Sequence, residues 1–293
     1  MRAPSALSRR AVLTAAGGFG LGIAVDTRNA RSAPPMRFGL TPVFLNSDQA
    51  VLAGLKSYLE RATGRPVELI SRRTYQEITA LLVSRQLDAA WICGFPFVAY
   101  RDEIGIVAVP IWRGQTRYQS YLIAGTSVVG DRLQDLKGSV HAFSDPDSNS
   151  GFLVTRAALL EIGAVPGRFF KHSFFTYGHR NVIRAVAAGL ASSGSVDGYV
   201  YEVLRETEPQ LVNATRVVAR SNWLGFPPIA CPADEAGSEP IQAVRKALLD
   251  MHKDVRGKAV LGLLKLDGFR LEPAEHFEGI AALMRQVRGS SDG

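Results

Sequence analysis

The stretch PVELISRRTYQEITALLVSRQLDAAWICGFPFV, residues 66–98, decides the fold. Its strand-like pieces, "PVELIS" and "DAAWIC", stay apolar almost throughout, the pattern of parallel strands covered on both faces. Between them "TYQEITALLVSRQ" places apolar residues at helical spacing and starts at Thr74. Strand, helix and strand in this order require a right-handed crossover, which predicts an open α/β sheet. Upstream, "MRFGLTPVF" reads as a strand ending in a Thr-Pro break. "SDQAVLAGLKSYLERATG" reads as a helix with Ser47 or Asp48 as N-cap and Gly64 as its stop. Ligands of such sheets bind beyond the carboxyl ends of the strands. That rule places Cys93 and Gly94 where a ligand is held. Gly94 lets backbone approach closely, and Pro96 stops the strand.

A second unit of the same kind begins after "YQSYLIAG". "SVHAFSD" reads as a strand, Ser150 to Ile162 as a helix and "FFKHSFFTY" as a strand. Asn181 to Gly189 then reads as a helix and "VDGYVY" as a short strand. The chain returns through "TRVVARSNWLGFPPIACP", two apolar segments separated by Ser221-Asn222. Helices follow over Pro240 to Lys253, Lys258 to Leu264 and Pro273 to Val287, while Gly54 and Gly268 read as loop residues. Two α/β units with an extended passage in each direction predict two lobes joined by a double hinge. Lobe 1 is expected to hold residues 36–117 plus 223–287 and lobe 2 residues 118–222, each an open, mostly parallel sheet flanked by helices.

The first 32 residues stand apart. Ser8-Arg9-Arg10-Ala11-Val12-Leu13 carries paired arginines, and the uncharged run Ala11 to Val25 is shorter than the ~20 apolar residues of a membrane span. With Ala30-Arg31-Ser32 as a small-residue cleavage site, residues 1–32 are expected to be an export signal of the twin-arginine type, giving a soluble periplasmic protein. These residues hold five arginines against one aspartate, so the net charge of +7 falls to +3 without them. So mild an excess argues against nucleic-acid binding, which needs a concentrated basic face, and suits a small anion.

The strongest polar cluster is "SDPDSNSGFLVTRAALL". Asp145-Pro146 turns the chain out of a strand, and Ser148, Asn149 and Ser150 precede a helix. The first N–H groups of a helix lack internal partners and favour negative charge, so these residues make a site for phosphate or a similar oxyanion. Ser148 or Ser150 acting only as an N-cap is the plainer alternative. His179 reads as a helix-start residue or a ligand group, Asp197 as a turn residue or a hydrogen-bond acceptor. Tyr199 and Phe44, near strand ends, read as the apolar side of a pocket or as core.

The DPDSNSG run, the "DAAWICGFPFV" strand and the "HRNVIRAVAAGLASSGSVDGYVYE" segment together resemble the phosphonate-binding, PhnD-like type of periplasmic solute-binding protein over Arg37 to about Leu283. The resemblance implies a two-lobed, type II periplasmic-binding-protein fold that closes on its ligand and delivers it to an ABC importer in the inner membrane. It implies that Ser148, Asn149 and Ser150 bind oxyanion oxygens. It adds His179 as a further contact and Asp197 as the remaining polar one, accepting from a protonated ligand oxygen and so favouring monoanions.

Cys93 departs from the family, whose phosphonate-binding members carry an aromatic residue near this position. Three readings stand. The thiol packs as a small hydrophobe, or pairs with Cys231, or touches a soft ligand. The family's topology makes the Cys231 strand an antiparallel neighbour, about 17 Å from the cleft at about 3.3 Å per residue, against the 7 Å limit for a disulfide. A related branch binds arsenite through such a cysteine and signals to a membrane histidine kinase, which is the alternative function. A cysteine hydrolase built on Cys93, His179 and Asp197 is the weakest reading, because none of the local hydrolase signatures is present. No enzyme, cofactor or metal is expected, since the five histidines fall in no ligand spacing.

Overall fold

The computed structural model describes residues 34–42 and 49–290. The expected export signal, the Ser47 or Asp48 cap and Phe44 lie outside the described residues. The first part runs β1 (Met36–Leu40), α1 (Gln49–Thr63), β2 (Val67–Ser71), α2 (Tyr75–Val83), β3 (Ala89–Trp91), α3 (Gly94–Ala99) and β4 (Ile104–Ile111). After β5 (Arg117–Tyr118) come β6 (Ser120–Gly125), β7 (Val140–Phe143), α4 (Val154–Glu161), α5 (Pro166–Phe169), β8 (His172–Phe175), α6 (His179–Ala187) and β9 (Ser193–Asp197). Then follow α7 (Gly198–Thr207), α8 (Pro209–Val212), β10 (Thr215–Arg220), β11 (Leu224–Gly225) and β12 (Ile229–Pro232). The chain closes with α9 (Glu239–Asp250), α10 (Val255–Leu264), β13 (Gly268–Arg270) and α11 (Glu278–Gly289).

Two main sheets result, ordered β13-β4-β12-β3-β1-β2 and β10-β6-β9-β7-β8. β1 to β4 share one direction, and so do β7 to β10. The returning strand β12 lies antiparallel between β3 and β4, as β6 does between β9 and β10. The sheets are therefore mixed in pairing although most strands run alike. The return strand fills a slot inside each sheet and does not extend its edge. The two passages between sheets lie side by side as the antiparallel pair β5 and β11, with Leu224 opposite Tyr118.

Local chemistry explains the elements that hold the site. Thr74 caps α2 by accepting from Glu77 N–H, while Glu77 reaches back to the cap, a capping box worth about 1 kcal/mol. The turn after β7 is a π-helical turn, Asn149–Leu153, leading into α4, in place of the uniform helix read over Ser150 to Ile162. "FFKHSFFTY" is a strand only over His172–Phe175, because Pro166 opens a helical turn just before it. α6 begins two residues earlier than read, at His179.

"VDGYVY" is not a strand: Asp197 ends β9 and caps α7, so Tyr199 and Tyr201 are helical. Gly54 lies inside α1, where a Cβ would meet Val260 of α10 at 3.0 Å. Gly268 opens β13. One apolar core runs from Phe38 and Leu59 through Trp91, Cys93 and Tyr118 to Val196 and Leu204, continuous across both sheets. A smaller cluster joins Leu122, Phe143, Leu159, Phe169 and Phe170. Among the described residues no helix is long and apolar enough to cross a membrane.

Candidate functional site

Five strand ends converge on one buried polar cluster. Past the end of β3, Cys93 stands before α3 in extended conformation, and its Sγ accepts the Asn149 N–H at 3.3 Å. Burial pushes the thiol up to about 12, opposed by the N–H groups of Asn149 and Phe95, so it stays protonated at neutral pH. Cys93 and Cys231 are both free thiols. β12 runs antiparallel to β3 with Ala230 opposite Ala90, which carries Cys231 away from Cys93 toward the other end of the sheet.

Beyond β7 the chain folds tightly. Asp145 Oδ1 accepts from Asp147 N–H at 2.8 Å, and its Oδ2 accepts from the N–H of Tyr75, the first residue of α2, at 3.2 Å. Ser148 caps the π-helical turn by accepting from Gly151 N–H at 2.9 Å. Asn149 Nδ2 donates to Tyr118 Oη at 2.9 Å, and the Ser150 side chain hydrogen-bonds the same phenol. Asn149 Oδ1 is buried without a partner.

His179 and Asp197 meet from β8 and β9. The Asp197 N–H donates to His179 Nδ1 at 3.1 Å, and His179 Nε2 lies 3.2 Å from Tyr75 Oη. Burial lowers this imidazole to about 3, so it is neutral. Asp197 Oδ1 caps α7 by accepting from Val200 N–H at 3.2 Å, while its Oδ2 is buried with no partner. Burial raises the carboxyl to about 7 against hydrogen bonds from the Val200 and Tyr199 N–H groups. Cys93, Ser148, Asn149, Ser150, His179 and Asp197 thus stand together, each at most 2% exposed.

Two residues singled out in the sequence stand apart from this polar centre. Tyr199 packs its ring on Trp112 and Phe226 and donates its hydroxyl to the Leu264 carbonyl at 2.5 Å. Gly94 gives close approach to Ile280 of α11, since a Cβ there would lie 2.5 Å from Ile280 Cδ1. Sequence reasoning missed Tyr75 and Tyr118 and read Asp145 only as a turn residue. The rule of strand carboxyl ends reaches Tyr75, which follows the cap after β2. Among the described residues no group of three or more His, Cys, Asp or Glu side chains is placed to hold a metal ion.

Strand ends from two mixed sheets, joined by paired crossing strands and closing on one buried polar cluster, define a two-lobed ligand-binding protein of the periplasmic type. A family model for the periplasmic phosphonate substrate-binding protein of ABC transporters matches residues 38–276. The chain belongs to this family. It is 29% identical over 149 residues to the phosphate-import protein PhnD of Mycolicibacterium smegmatis, and the aligned stretch spans about half, 46%, of either protein.

Among solved structures it resembles a binding-protein component of an ABC phosphonate transporter from Pseudomonas aeruginosa, with TM-score 0.81, 20% identity and 88% of each chain covered. It also resembles PhnD1 of Prochlorococcus marinus, solved with methylphosphonate: TM-score 0.77, 17% identity, 86% of this chain and 98% of that one. At these identities the likeness establishes the fold.

Proposed function

We propose that the protein is exported to the periplasm, where it captures a small oxyanion of the phosphate, phosphite or phosphonate class between its lobes for an ABC permease, without catalysis. The observation that carries this reading is the pair of buried acceptors without partners, Asn149 Oδ1 and Asp197 Oδ2, beside the start of the Ser148–Ser150 turn. An unpaired buried polar atom costs about 1–3 kcal/mol, and a ligand hydroxyl would satisfy Asp197 while the ligand's other oxygens face the turn. The hydrogen-bond partners named at the site are uncharged or acidic, so a singly charged anion held by neutral donors fits best. The lobes, residues 36–117 plus 223–287 and residues 118–222, divide at β5 and β11.

Cys93 gives a second reading its one supporting observation. Its thiol takes the very N–H, that of Asn149, which the turn would otherwise offer to an oxyanion. A ligand with a soft central atom, such as arsenite, would bond to this sulfur, and its partner would then be a sensor kinase. Calorimetry with phosphate, phosphite, methylphosphonate, arsenate and arsenite separates the two. Phosphorus oxyanions are expected to bind native protein and Cys93→Ser within a few-fold of each other. Arsenite heat that disappears in Cys93→Ser supports the second reading, and silence from all five removes both.

Closure is also held at a distance from the cluster. Arg113 lies 3.6 Å from both Glu202 and Glu206 of α7, and Lys265 lies 3.4 Å from Glu206. These pairs link segments we assign to different lobes, and Arg113 is half exposed. Arg113→Ala is therefore expected to cost closure only about 0.5–1 kcal/mol, a two- to fivefold loss of affinity that added salt reproduces. Small-angle scattering of the ligand-free variant should show a larger radius of gyration, and an unchanged radius counts against the latch.

A further inference from the structure

We infer that Arg73 and Tyr177 form the entrance of the site: the Arg73 guanidinium draws the anion in from solvent, then shuts the cleft behind it by lying on the Tyr177 ring. The inference rests on the ligand class proposed above and gives that same site an entry path. Arg73 belongs to the turn between β2 and α2 and Tyr177 to the turn between β8 and α6, so they come from segments assigned to different lobes. The guanidinium carbon stands 5.3 Å from the centre of the phenol ring, inside the reach of about 6 Å at which an aromatic face holds a cation.

The pair lies on the way out of the buried cluster. Two residues further in along each chain, Tyr75 Oη and His179 Nε2 are 3.2 Å apart. Tyr75 is fully buried and His179 nearly so, whereas Tyr177 is half-buried and Arg73 exposed. The two turns therefore run side by side from the cluster to the surface, and Arg73 and Tyr177 are their outer contact.

Charge and backbone give the pair its role. None of the side chains that meet in the cluster is cationic, and Asp145 and Asp197 are acids. An anion nearing ionised carboxylates is repelled, and a cation on its path offsets that repulsion. Arg73 forms no ion pair among the described residues, so its charge is left to act on an incoming anion. Arg72 beside it is already engaged: it acts on the Glu77 carboxylate and donates to the Ser71 carbonyl at 2.9 Å. Tyr177 has a φ of 54°, the left-handed region that disfavours a bulky side chain. Its turn is fixed on both sides, since Asn181 Nδ2 donates to the Thr176 carbonyl at 3.0 Å and Thr176 Oγ1 donates to the Gly178 carbonyl at 3.0 Å. A glycine would hold this conformation without strain. A tyrosine kept there by its surroundings has a use for its ring, and the ring meets Arg73.

Calorimetry with inorganic phosphate tests the entrance. At about 20 mM ionic strength Arg73→Gln is expected to bind about three- to tenfold more weakly than native protein, and the gap should narrow to about twofold in about 0.5 M sodium chloride. Arg73→Lys keeps the charge without the planar face and should retain the native salt response. In Tyr177→Asn a residue that tolerates the left-handed backbone removes the ring alone, so binding should weaken about two- to fivefold while the urea midpoint stays level or rises. The double variant Arg73→Gln/Tyr177→Asn should bind within about twofold of Arg73→Gln, because the ring has no work once its cation is gone. Arg73→Gln that matches native protein at low ionic strength, or single losses that simply multiply in the double variant, sinks the entrance and leaves the ligand class intact. Native protein that binds none of the phosphorus oxyanions removes the ligand class, and the entrance with it.

Discussion

Gly151→Ala is expected to abolish oxyanion capture, weakening it by about two orders of magnitude or more, because the binding turn then no longer fits the end of β7. A Cβ on residue 151 would lie 1.8 Å from Ser144 Oγ, 2.6 Å from Ser144 Cβ and 2.9 Å from Ser148 Oγ. Ser144 has little room to retreat, since its own N–H donates to the Gly151 carbonyl at 3.2 Å. Rotating the Ser144 hydroxyl away still leaves its Cβ only 2.6 Å from the added methyl, so the turn must shift by roughly half an ångström or more, carrying Asn149 and Ser150 with it. Forced overpacking of this kind costs about 1–3 kcal/mol of stability, so the variant should fold and unfold at a lower urea midpoint. The specific signature is rescue. Ser144→Gly removes both closest contacts, and Ser144 Oγ has no hydrogen-bond partner to lose. In the double variant binding should recover to within about tenfold of native, a coupling that a general loss of structure would not produce. If Gly151→Ala binds phosphate normally, the turn does not hold the ligand.

Much of the scaffold was legible because hydrophobic runs, caps and the crossover rule act locally. β2, α2 and β3 stand where the sequence places them, and the strand-end rule brings Cys93, Ser148, Asn149, Ser150, His179 and Asp197 to one place. The misreading of "VDGYVY" has a physical cause. Val and Tyr favour strands, and the Gly/Ser run before them looks like a loop. Yet β9, "SGSVD", is an inner strand with a helix close over it. A Cβ at Gly194 would lie 2.4 Å from Val182 of α6, and Ser193 and Ser195 hydrogen-bond His141 at 2.8 and 2.9 Å. Small residues are needed there because α6 and a buried imidazole occupy the space that larger side chains would take. The slot of the return strand β6 was hidden for another reason: which slot a strand fills depends on long-range pairing, and no local pattern records it; the antiparallel place of β12 beside β3 came from the family resemblance and stands as expected. Tyr75 was missed because its partners, Asp145 and His179, lie 70 and 104 residues away and meet it only in the folded molecule.

Asp197→Asn is expected to stabilise the ligand-free protein at neutral pH while damaging its function. Burial raises the Asp197 carboxyl from its ordinary 3.8 to about 7, so the folded chain keeps a proton that the unfolded chain has lost. The sign follows directly. Below pH about 4 both states are protonated and the group carries no penalty. As pH rises from about 4 to about 7 the unfolded state binds fewer protons than the folded one, so stability falls, and above about 7 the loss is constant. At about 1.4 kcal/mol per unit, the full difference is about 4 kcal/mol at most. Asparagine keeps the Oδ1 cap on Val200 N–H and carries no charge, so the variant should match native protein near pH 4 and exceed it by about 2–4 kcal/mol at pH 8. Urea midpoints of both proteins across that range test this. A variant less stable than native at pH 8, or a difference that does not change with pH, would show that Asp197 is not held as a strained acceptor. Phosphate binding should weaken about tenfold or more in the variant, because the amide offers N–H where the ligand hydroxyl needs an oxygen. A site that is costly to keep empty and satisfied only by a hydroxyl-bearing anion gains discrimination from that cost: a fully ionised competitor leaves Asp197 unpaired beside another negative charge.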